Sequence, residues 1–300
     1  MKLNEPLTLK APAKINLHLQ ILSRREDGYH NLFSLMQMVG LYDLLTFRRK
    51  RAGIELKVEN GSLPSDRSNL IFRAAELAQK EAQRCDGRGA SRGVSITLIK
   101  NIPIAAGLGG GSSDAAATLI GLNRLWSLQW SRKKLAEMGG RLGSDLPFFF
   151  SGPTAWVSGT GEKVEKTAPF LEGWALLVNP GIPVSTRWVY EEYAKKIGLT
   201  KRAPDINMVE LIARRATLKE ILRQPYNDLE KVTLAAFPHL IQIKRELHDL
   251  GGEGVLMSGS GPTLFALFRT RDSAKKAAFS IQKTGLTQIW VVRILKRSPL

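Results

Sequence analysis

The stretch GLGGGSSDAAA, residues 107–117, places four glycines within five positions, followed by two serines, an aspartate and three alanines. The alternating segment VSITLIKNIP (94–103) before it predicts a strand, and the segment AAATLIGLNRLW (115–126) predicts a helix. Glycine loses more backbone freedom on folding than any other residue, so it is favoured where the backbone must turn sharply or approach another group closely. The stretch therefore predicts a strand, a tight loop and a helix that begins at the loop.

A loop of this kind suits an anion. Backbone N–H groups at a helix start have no partners within the helix, and the helix dipole adds partial positive charge there. Glycines let the backbone close around a phosphate, to which the hydroxyls of Ser112 and Ser113 could donate; these hydroxyls could also bind Mg²⁺. The Walker pattern requires a lysine after the glycines, and this loop has none. A serine replaces the third glycine of the dinucleotide fingerprint. A flexible glycine hinge is the alternative, and the helix-capping residues directly after the glycines argue against it.

Composition indicates a globular protein. The chain has 300 residues, enough for one large domain or two ordinary ones, with 43% hydrophobic and 24% charged residues. Its one cysteine excludes an internal disulfide and fits a reducing compartment. Charged residues interrupt the amino-terminal segment, which therefore does not resemble a signal peptide, and no apolar run approaches the ~20 residues of a membrane span. We expect a soluble, cytoplasmic protein with no membrane partner.

The net charge of +17 allows two interpretations. A basic surface attracts nucleic acid, or it attracts small polyphosphates and anionic metabolites. The densest basic cluster is RRKR, residues 48–51, and the remaining charge is scattered through every segment. No aromatic-interleaved RNA-binding signature accompanies it. A solvated basic surface is therefore favoured over a nucleic-acid partner, and a non-enzymatic RNA-binding protein stays as the alternative from another class.

Strand and helix patterns are interspersed along the chain without a repeat. The segment 7–22 alternates as a strand does, the segment 68–82 predicts a helix capped by serine or asparagine, and the segment 153–167 predicts a hairpin that turns at 159–161. Few strict strand–helix–strand crossovers occur, which favours an α+β fold. We expect a domain boundary near this hairpin, giving domains 1–158 and 159–300. Residues 201–225 are left unassigned.

Several segments of the chain resemble the motifs of a known enzyme family. PIAAGLGGGSSDAA (103–116) resembles the central motif of the GHMP kinases, small-molecule kinases whose glycine loop surrounds the phosphates of ATP. PAKINLHLQIL (12–22), GSDLPFFFSGPTAWVSGTGE (143–162) and MSGSGPTLFALF (257–268) agree with the same family, and together the matches run from about residue 8 to 270. The glycine loop marks the whole family, whereas RREDGYHNL (24–32) points to one group within it. Its Asp-Gly-Tyr-His element resembles the corresponding segment of the members that act on a cytidine-diphosphate-linked methylerythritol.

The resemblance implies an α+β kinase of two domains. The amino-terminal domain would have the ribosomal protein S5 domain 2-like fold, the carboxy-terminal domain would be ferredoxin-like, and the active site would lie in the cleft between them. The γ-phosphoryl of ATP would move to the 2-hydroxyl of the small-molecule substrate, in the non-mevalonate route to isoprenoid precursors. Mg²⁺ would be carried with ATP, with no metal site of the protein's own, and the chain would act as a monomer or a weak homodimer. A homoserine or mevalonate kinase of the same family is the nearest alternative.

Two residues match the family's catalytic groups. Asp145 would accept the proton of the attacking hydroxyl, and helix capping before Leu146 and Pro147 is its structural alternative. Lys14 would lie beside Asp145, keep its carboxylate ionised and lower the pKa of the hydroxyl. Without the resemblance, a lone lysine within an alternating strand would be assigned to the solvated face.

The resemblance also implies the binding residues. Asn16 shares a strand face with Lys14 and could bind the polyol. Tyr29 and His30 match a pair that binds cytosine by stacking and by hydrogen bonding. The other predicted positions are Thr186 and Tyr190 for the acceptor and, for ATP, Pro103, Ile104, Ala105, Ala106, Gly107, Leu108, Gly109, Gly110, Gly111, Ser112, Ser113, Asn69 and Lys100.

Overall fold

The computed structural model describes residues 5–61, 63–87, 92–167, 172–197, 225–282 and 288–300. The segment 201–225, which the sequence pattern leaves unassigned, lies outside these ranges except for residue 225. The described strands are β1 (Leu7–Arg24), β2 (His30–Lys50), β3 (Ile54–Val58), β4 (Gly93–Ile99), β5 (Thr154–Gly159), β6 (Lys163–Lys166), β7 (Trp174–Asn179), β8 (Tyr226–Asn227), β9 (Glu253–Met257), β10 (Leu264–Phe268) and β11 (Gln288–Arg293). The described helices are α1 (Leu70–Asp86), α2 (Gly110–Leu125), α3 (Arg132–Gly140), α4 (Leu146–Ser151), α5 (Thr186–Ile197), α6 (Glu230–Ala236), α7 (His239–Asp249) and α8 (Arg271–Gln282).

The first sheet has the strand order β3-β4-β2-β1-β8, and β5 joins β2 and carries β6 on its far side. The strand expected over residues 7–22 is present as β1, which pairs antiparallel with the long β2, while β3–β4 and β1–β8 are parallel. Register shifts between Pro12 and Ala13 and between Asn16 and His18 interrupt the β1–β2 ladder. Such irregularities bend a strand and re-aim its side chains, and these two flank the segment that carries Lys14.

Helices α1 and α2 pack against one face of this sheet. The helix α1 begins at Asn69, whose Oδ1 accepts a hydrogen bond of 2.9 Å from the backbone N–H of Ile71, so the expected asparagine cap is confirmed. Gly121 of α2 lies on the ring of Phe47, since a Cβ there would come within 2.7 Å of the ring. Phe47 is fully buried, and burial of a side chain of this size contributes about 1.5–3 kcal/mol.

The second sheet has the order β11-β7-β10-β9 and is antiparallel at every described pairing. One of its faces packs against α7 and α8 through Leu240, Leu247 and Ala274. Its other face shares a core with the first sheet, in which Ile15 and Leu177 are both buried. Strands β7 and β10 therefore read as continuous apolar runs because both of their faces are covered. The α+β architecture is confirmed.

The hairpin predicted near the domain boundary is confirmed, and both of its strands belong to the first sheet. Val157 of β5 pairs with Val164 of β6, so this sheet extends to Lys166. The predicted division between residues 158 and 159 would cut this hairpin, and as a domain boundary it stays a prediction. The chain then leaves the sheet and returns to it at β8, where Tyr226 pairs with His18 of β1.

Candidate active site

The glycine loop passes directly into α2. Gly109 occupies the N-cap with φ of 69°, Gly107 has φ of 73°, and both values favour glycine. Close packing also favours glycine at these positions, because a Cβ on Gly109 would lie 2.9 Å from Cγ of Lys14. A Cβ on Gly107 would overlap the carbonyl oxygen of Ser258. The loop is thus held between β1 and a segment of the second half of the chain, and the start of α2 faces a cavity.

A cavity of about 350 Å³ lies along this loop. Lys14 and Asn16 form part of its wall, and Leu70 and Lys100 lie at another part. Every predicted loop position from Pro103 to Ser112 lines it. The structure therefore brings together on one surface the residues that the sequence assigns to ATP phosphates.

Two of the predicted nucleotide residues are placed differently. Ser113 is fully buried in α2 and does not line the cavity, and its hydroxyl has no hydrogen-bond partner among the described residues. Asn69 uses both ends of its amide within the protein, because its Nδ2 donates to the carbonyl of Pro64 at 2.8 Å while its Oδ1 caps α1. A role for Asn69 in binding adenine stays a prediction, and its capping role is structural.

Asp145 occupies the N-cap position of the short helix α4, but its side chain makes no capping hydrogen bond within the described chain. Its carboxylate instead lies 3.8 Å from Nζ of Lys14, with about a third of the side chain exposed (34%). The capping alternative therefore does not account for the carboxylate. An ionised acceptor at the mouth of a cavity, beside an ammonium, is the arrangement that a general base requires.

Lys14 is buried, and its ammonium donates to Oδ1 of Asn16 at 2.6 Å. Burial lowers the pKa of this ammonium, and the neighbouring Asp145 carboxylate opposes that effect. The amide of Asn16 is oriented in turn by Ser34, whose Oγ accepts from Nδ2 at 2.8 Å. Lys14 does not lie on a solvated face, and the chain Lys14–Asn16–Ser34 fixes the position of its charge.

A second, larger cavity of about 700 Å³ lies on the other side of Asp145. Tyr29 and His30 line it from the start of β2, and Thr186 and Tyr190 line it from α5. The rings of His30 and Tyr190 have centroids 5.2 Å apart, whereas Tyr29 is 62% exposed at the rim. The structure thus brings together four of the residues that the sequence assigns to the acceptor.

Burial determines the charge of two polar side chains in the wall of this cavity. Nε2 of the buried His30 has no hydrogen-bond partner in the described chain. Burial lowers the pKa of the His30 imidazole, and the positive charge of Arg24 lowers it further, so the ring is neutral at pH 7. Burial also raises the pKa of the Tyr190 hydroxyl, to which the charge of Asp145 adds. Both side chains therefore offer neutral, hydrogen-bonding surfaces.

The two cavities meet at a small set of shared residues. Ser112, Asp145, Thr186 and Tyr190 each line both of them, together with Leu32. A group bound along the glycine loop and a molecule bound against Tyr29 and His30 would thus approach each other at Asp145. This junction is the arrangement that transfer of a group between two bound molecules requires.

Sequence reasoning missed the contribution of the loop 258–260 to this site. The hydroxyl of Ser258 donates to the carbonyl of Gly107 at 2.9 Å, and the hydroxyls of Ser260 and Thr186 lie 2.8 Å apart. Gly259 lies beside Lys14, since a Cβ there would be 3.4 Å from its Nζ. The glycine- and serine-rich motif MSGSGPT was visible in the sequence, but these contact partners, 74 or more residues away, were not.

In the described parts of the chain, no three histidine, cysteine, aspartate or glutamate side chains are grouped so that they could hold a metal ion. The helices described in the structure include none with the length and apolar character needed to cross a membrane.

Comparisons with known proteins agree with this geometry. A family model described as the GHMP kinases N terminal domain matches residues 69–153, and one described as the GHMP kinases C terminal matches residues 208–286. A 4-diphosphocytidyl-2-C-methyl-D-erythritol kinase from Syntrophus aciditrophicus (strain SB) is 44% identical to the chain over 288 residues. The match covers 96% of this chain and 99% of that relative.

Solved structures give the same result. The crystal structure of a 4-(cytidine 5'-diphospho)-2C-methyl-D-erythritol kinase matches with a TM-score of 0.75 and 34% identity, covering 96% of this chain and 99% of that one. A homoserine kinase from Cytophaga hutchinsonii matches with a TM-score of 0.67 at 18% identity, covering 99% of this chain and 97% of that one, which shows a shared fold alone. By its identity to these relatives over nearly its whole length, the chain belongs to the 4-diphosphocytidyl-2-C-methyl-D-erythritol kinase family of the GHMP kinases.

Proposed function

We propose that this chain transfers the γ-phosphoryl group of ATP to the 2-hydroxyl of 4-diphosphocytidyl-2-C-methyl-D-erythritol, giving the 2-phosphate and ADP. This is a step of the non-mevalonate route to isoprenoid precursors. The observation that carries the proposal is the meeting of the two cavities at Asp145, next to the buried Lys14. Phosphoryl transfer depends on holding the attacking oxygen in line with the γ-phosphorus, with a group nearby to take its proton.

In the proposed mechanism Asp145 accepts the proton of the 2-hydroxyl as its oxygen attacks. The carboxylate is free for this role because it makes no capping bond in the described chain. Lys14 lies 3.8 Å from it, so its ammonium stabilises the ionised carboxylate and the negative charge that develops on the attacking oxygen. Asn16 keeps the ammonium in place through the 2.6 Å hydrogen bond; both ends of its amide are engaged within the protein, so its direct contact with the polyol stays a prediction.

The glycine loop and the start of α2 would hold the ATP phosphates through backbone N–H groups and the helix dipole. Mg²⁺ on the phosphates would neutralise part of their charge. Ser112 is the hydroxyl of the predicted pair that lines the cavity, while the nearby Asp114 carboxylate is buried and paired with Lys100. We propose that Mg²⁺ arrives on the nucleotide, with the hydroxyl of Ser112 as the side-chain group of the loop that could reach it.

The acceptor would be recognised mainly through its cytosine. Tyr29 at the rim and Tyr190 at the wall supply aromatic faces, and stacking on such faces contributes roughly 1–3 kcal/mol per base. The unpartnered Nε2 of His30 supplies a hydrogen-bonding group for the edge of the base. Homoserine and mevalonate kinases share the fold, but a small acyclic acceptor would leave this 700 Å³ cavity largely unfilled. The RNA-binding alternative is not favoured, because nearly the whole chain matches kinases.

ADP release from the purified chain tests the proposal. The acceptors to compare are the cytidylated methylerythritol, methylerythritol phosphate, homoserine and mevalonate, each at the same ATP concentration. We expect ADP with the first and almost none with the other three. Equal turnover with an uncytidylated acceptor would contradict the assignment and would leave only an ATP-dependent kinase of the wider family.

Two further expectations belong with this proposal. We propose a cytoplasmic enzyme, on the basis of its single cysteine and the place of the reaction in precursor metabolism. We also propose that the chain acts as a monomer or a weak homodimer. Analytical ultracentrifugation over a range of concentrations tests the oligomeric state.

A further inference from the structure

Three charged side chains are buried together beneath the glycine loop. The ammonium of Lys100, which follows β4, forms ion pairs with Oδ2 of Asp43 on β2 and, at 3.1 Å, with Oδ2 of Asp114 on α2. All three side chains are at most 7% exposed. Buried ion pairs cost desolvation energy, so this cluster is poorly explained by stability alone.

Asp43 and Asn60 fix the backbone around Lys100. Oδ1 of Asp43 accepts hydrogen bonds from the backbone N–H groups of Asn101 at 2.6 Å and Ile102 at 2.8 Å. The amide of Asn60 bonds both backbone groups of Lys100, at 2.5 Å to its N–H and 2.7 Å to its carbonyl. The lysine is therefore anchored to the sheet at both its backbone and its ammonium, before the chain enters the loop.

The first turn of α2 lies on this ammonium. A Cβ on Gly110 would come within 2.8 Å of Nζ of Lys100, so only glycine allows the helix start to lie so close. Asp114, one turn further along α2, is joined to the same Nζ. Its other oxygen, Oδ1, has no hydrogen-bond partner in the described chain, and the ammonium of Lys100, which also pairs with Asp43 on β2, links this carboxylate to the sheet.

We propose that Lys100 is a positioning residue that acts through Asp114: it ties the first turn of α2 to the sheet, so that the N–H groups of the glycine loop point at the nucleotide phosphates. The proposal rests on the nucleotide site of the proposed function and deepens it. It replaces the expectation that Lys100 binds ATP directly, although the side chain also borders the cavity.

The two roles predict opposite effects for one substitution. If Lys100 contacts the nucleotide as a point charge, Asp114 competes with the phosphates for the ammonium and adds a repelling negative charge. Replacement of Asp114 by asparagine would then tighten nucleotide binding. If Lys100 acts through Asp114, the same replacement loosens the helix start and weakens nucleotide binding. Burial raises the pKa of Asp114, the ammonium of Lys100 opposes that effect, and the neighbouring Asp43 carboxylate adds to it.

The test measures binding of ADP and ATP by isothermal titration calorimetry to the full chain and to Lys100→Met, Asp114→Asn and the double variant. We expect each single variant to raise the dissociation constant for both nucleotides by roughly 10-fold, within the range found for residues in contact. The double variant should bind about as weakly as either single one, since both changes break the same link. Tighter or unchanged binding in Asp114→Asn overturns the proposal, and so do additive losses in the double variant.

The chain offers a matched control. Lys134 of α3 pairs with the buried carboxylate of Glu81 on α1, away from the loop. Lys134→Met and Glu81→Gln each break an ion pair at a buried carboxylate and should leave nucleotide binding unchanged, which separates positioning from the loss of an ion pair elsewhere. If Lys100→Met does not fold, Asp114→Asn still decides, because the two roles predict changes of opposite sign. Nucleotide binding does not depend on the acceptor, so failure of the proposed function appears separately, as wild-type protein that binds ADP but phosphorylates no cytidylated acceptor.

Discussion

Asp145→Asn separates the catalytic role of this carboxylate from a structural one. The substitution keeps the shape of the side chain, and the only described ion pair that it removes is the 3.8 Å contact with Lys14. Because Asp145 is about one-third exposed (34%), that contact is worth at most about 1 kcal/mol. Lys14 also keeps its 2.6 Å hydrogen bond to Asn16. For a chain of this size the melting temperature should fall by no more than about 4 °C.

The effect on turnover should be far larger. Without the carboxylate no described side chain at the junction of the two cavities can take the proton, and loss of a general base lowers rates by about 10²–10⁴-fold. The dissociation constant for ADP should change little, because the glycine loop is untouched. The assay is ADP release at saturating ATP and acceptor, with thermal unfolding and ADP titration on the same preparation.

The control for this experiment is Glu191→Gln. Glu191 lines the same acceptor cavity and is half-exposed in an ion pair with Arg187, so the variant removes one negative charge from the cavity without touching Lys14. It should turn over at a rate close to that of the wild type. Near-normal turnover of Asp145→Asn would refute the assignment of the base, and equal losses in both variants would attribute the effect to the charge of the cavity.

The remaining predictions concern the two binding cavities. Gly111→Val should weaken ATP binding with little loss of stability, because a Cβ there meets only Leu70 at 3.6 Å and points into the cavity; unchanged ATP affinity would exclude a phosphate site. Tyr29→Ala and His30→Ala should each raise KM for the acceptor by about 5- to 150-fold, the equivalent of 1–3 kcal/mol, and leave KM for ATP nearly constant. KM for the acceptor should also rise as the pH falls through the lowered pKa of His30. Arg24→Met should move the midpoint of this pH dependence to higher pH, because the positive charge of Arg24 lowers that pKa. A midpoint that does not move would remove Arg24 from the site.

Local patterns in the sequence predicted several of the elements, and the resemblance supplied most residues of the two cavity walls. The alternation of β1, the asparagine cap of α1 and the hairpin at Gly159 depend on neighbouring residues, and each is present. The resemblance assigned catalytic roles to Asp145 and Lys14, whereas the residues alone left Asp145 open between a helix cap and a base and would have placed Lys14 on a solvated strand face. The structure brings these two together because β1 passes under the glycine loop, where the N–H of Lys14 donates to the carbonyl of Leu108 at 2.9 Å.

Long-range pairing could not be predicted in the same way. Asp43 lies near Lys100 because β2 and β4 pair with Leu44 opposite Ile99, and nothing in the residues around position 43 indicates that register. The contact between Ser258 and Gly107 joins residues 151 apart in sequence. The placement of β6 in the first sheet also depends on strand pairing, which the local hairpin pattern used to draw the boundary does not show.

The return of the chain to the first sheet at β8 has a consequence for any attempt to divide the protein. Residues 1–158 expressed alone would lack β6 and β8, leaving β5 and β1 with rows of unpaired backbone donors and acceptors. Unprotected edges of this kind recruit other chains and promote aggregation. The bridge from Val39 to Ile294 shows that even the last described segment is joined to this sheet. The two halves are therefore poor units for chimaeras. A chimaera that takes its amino-terminal half from a relative would also have to take β8 and residues 294–295 from that relative.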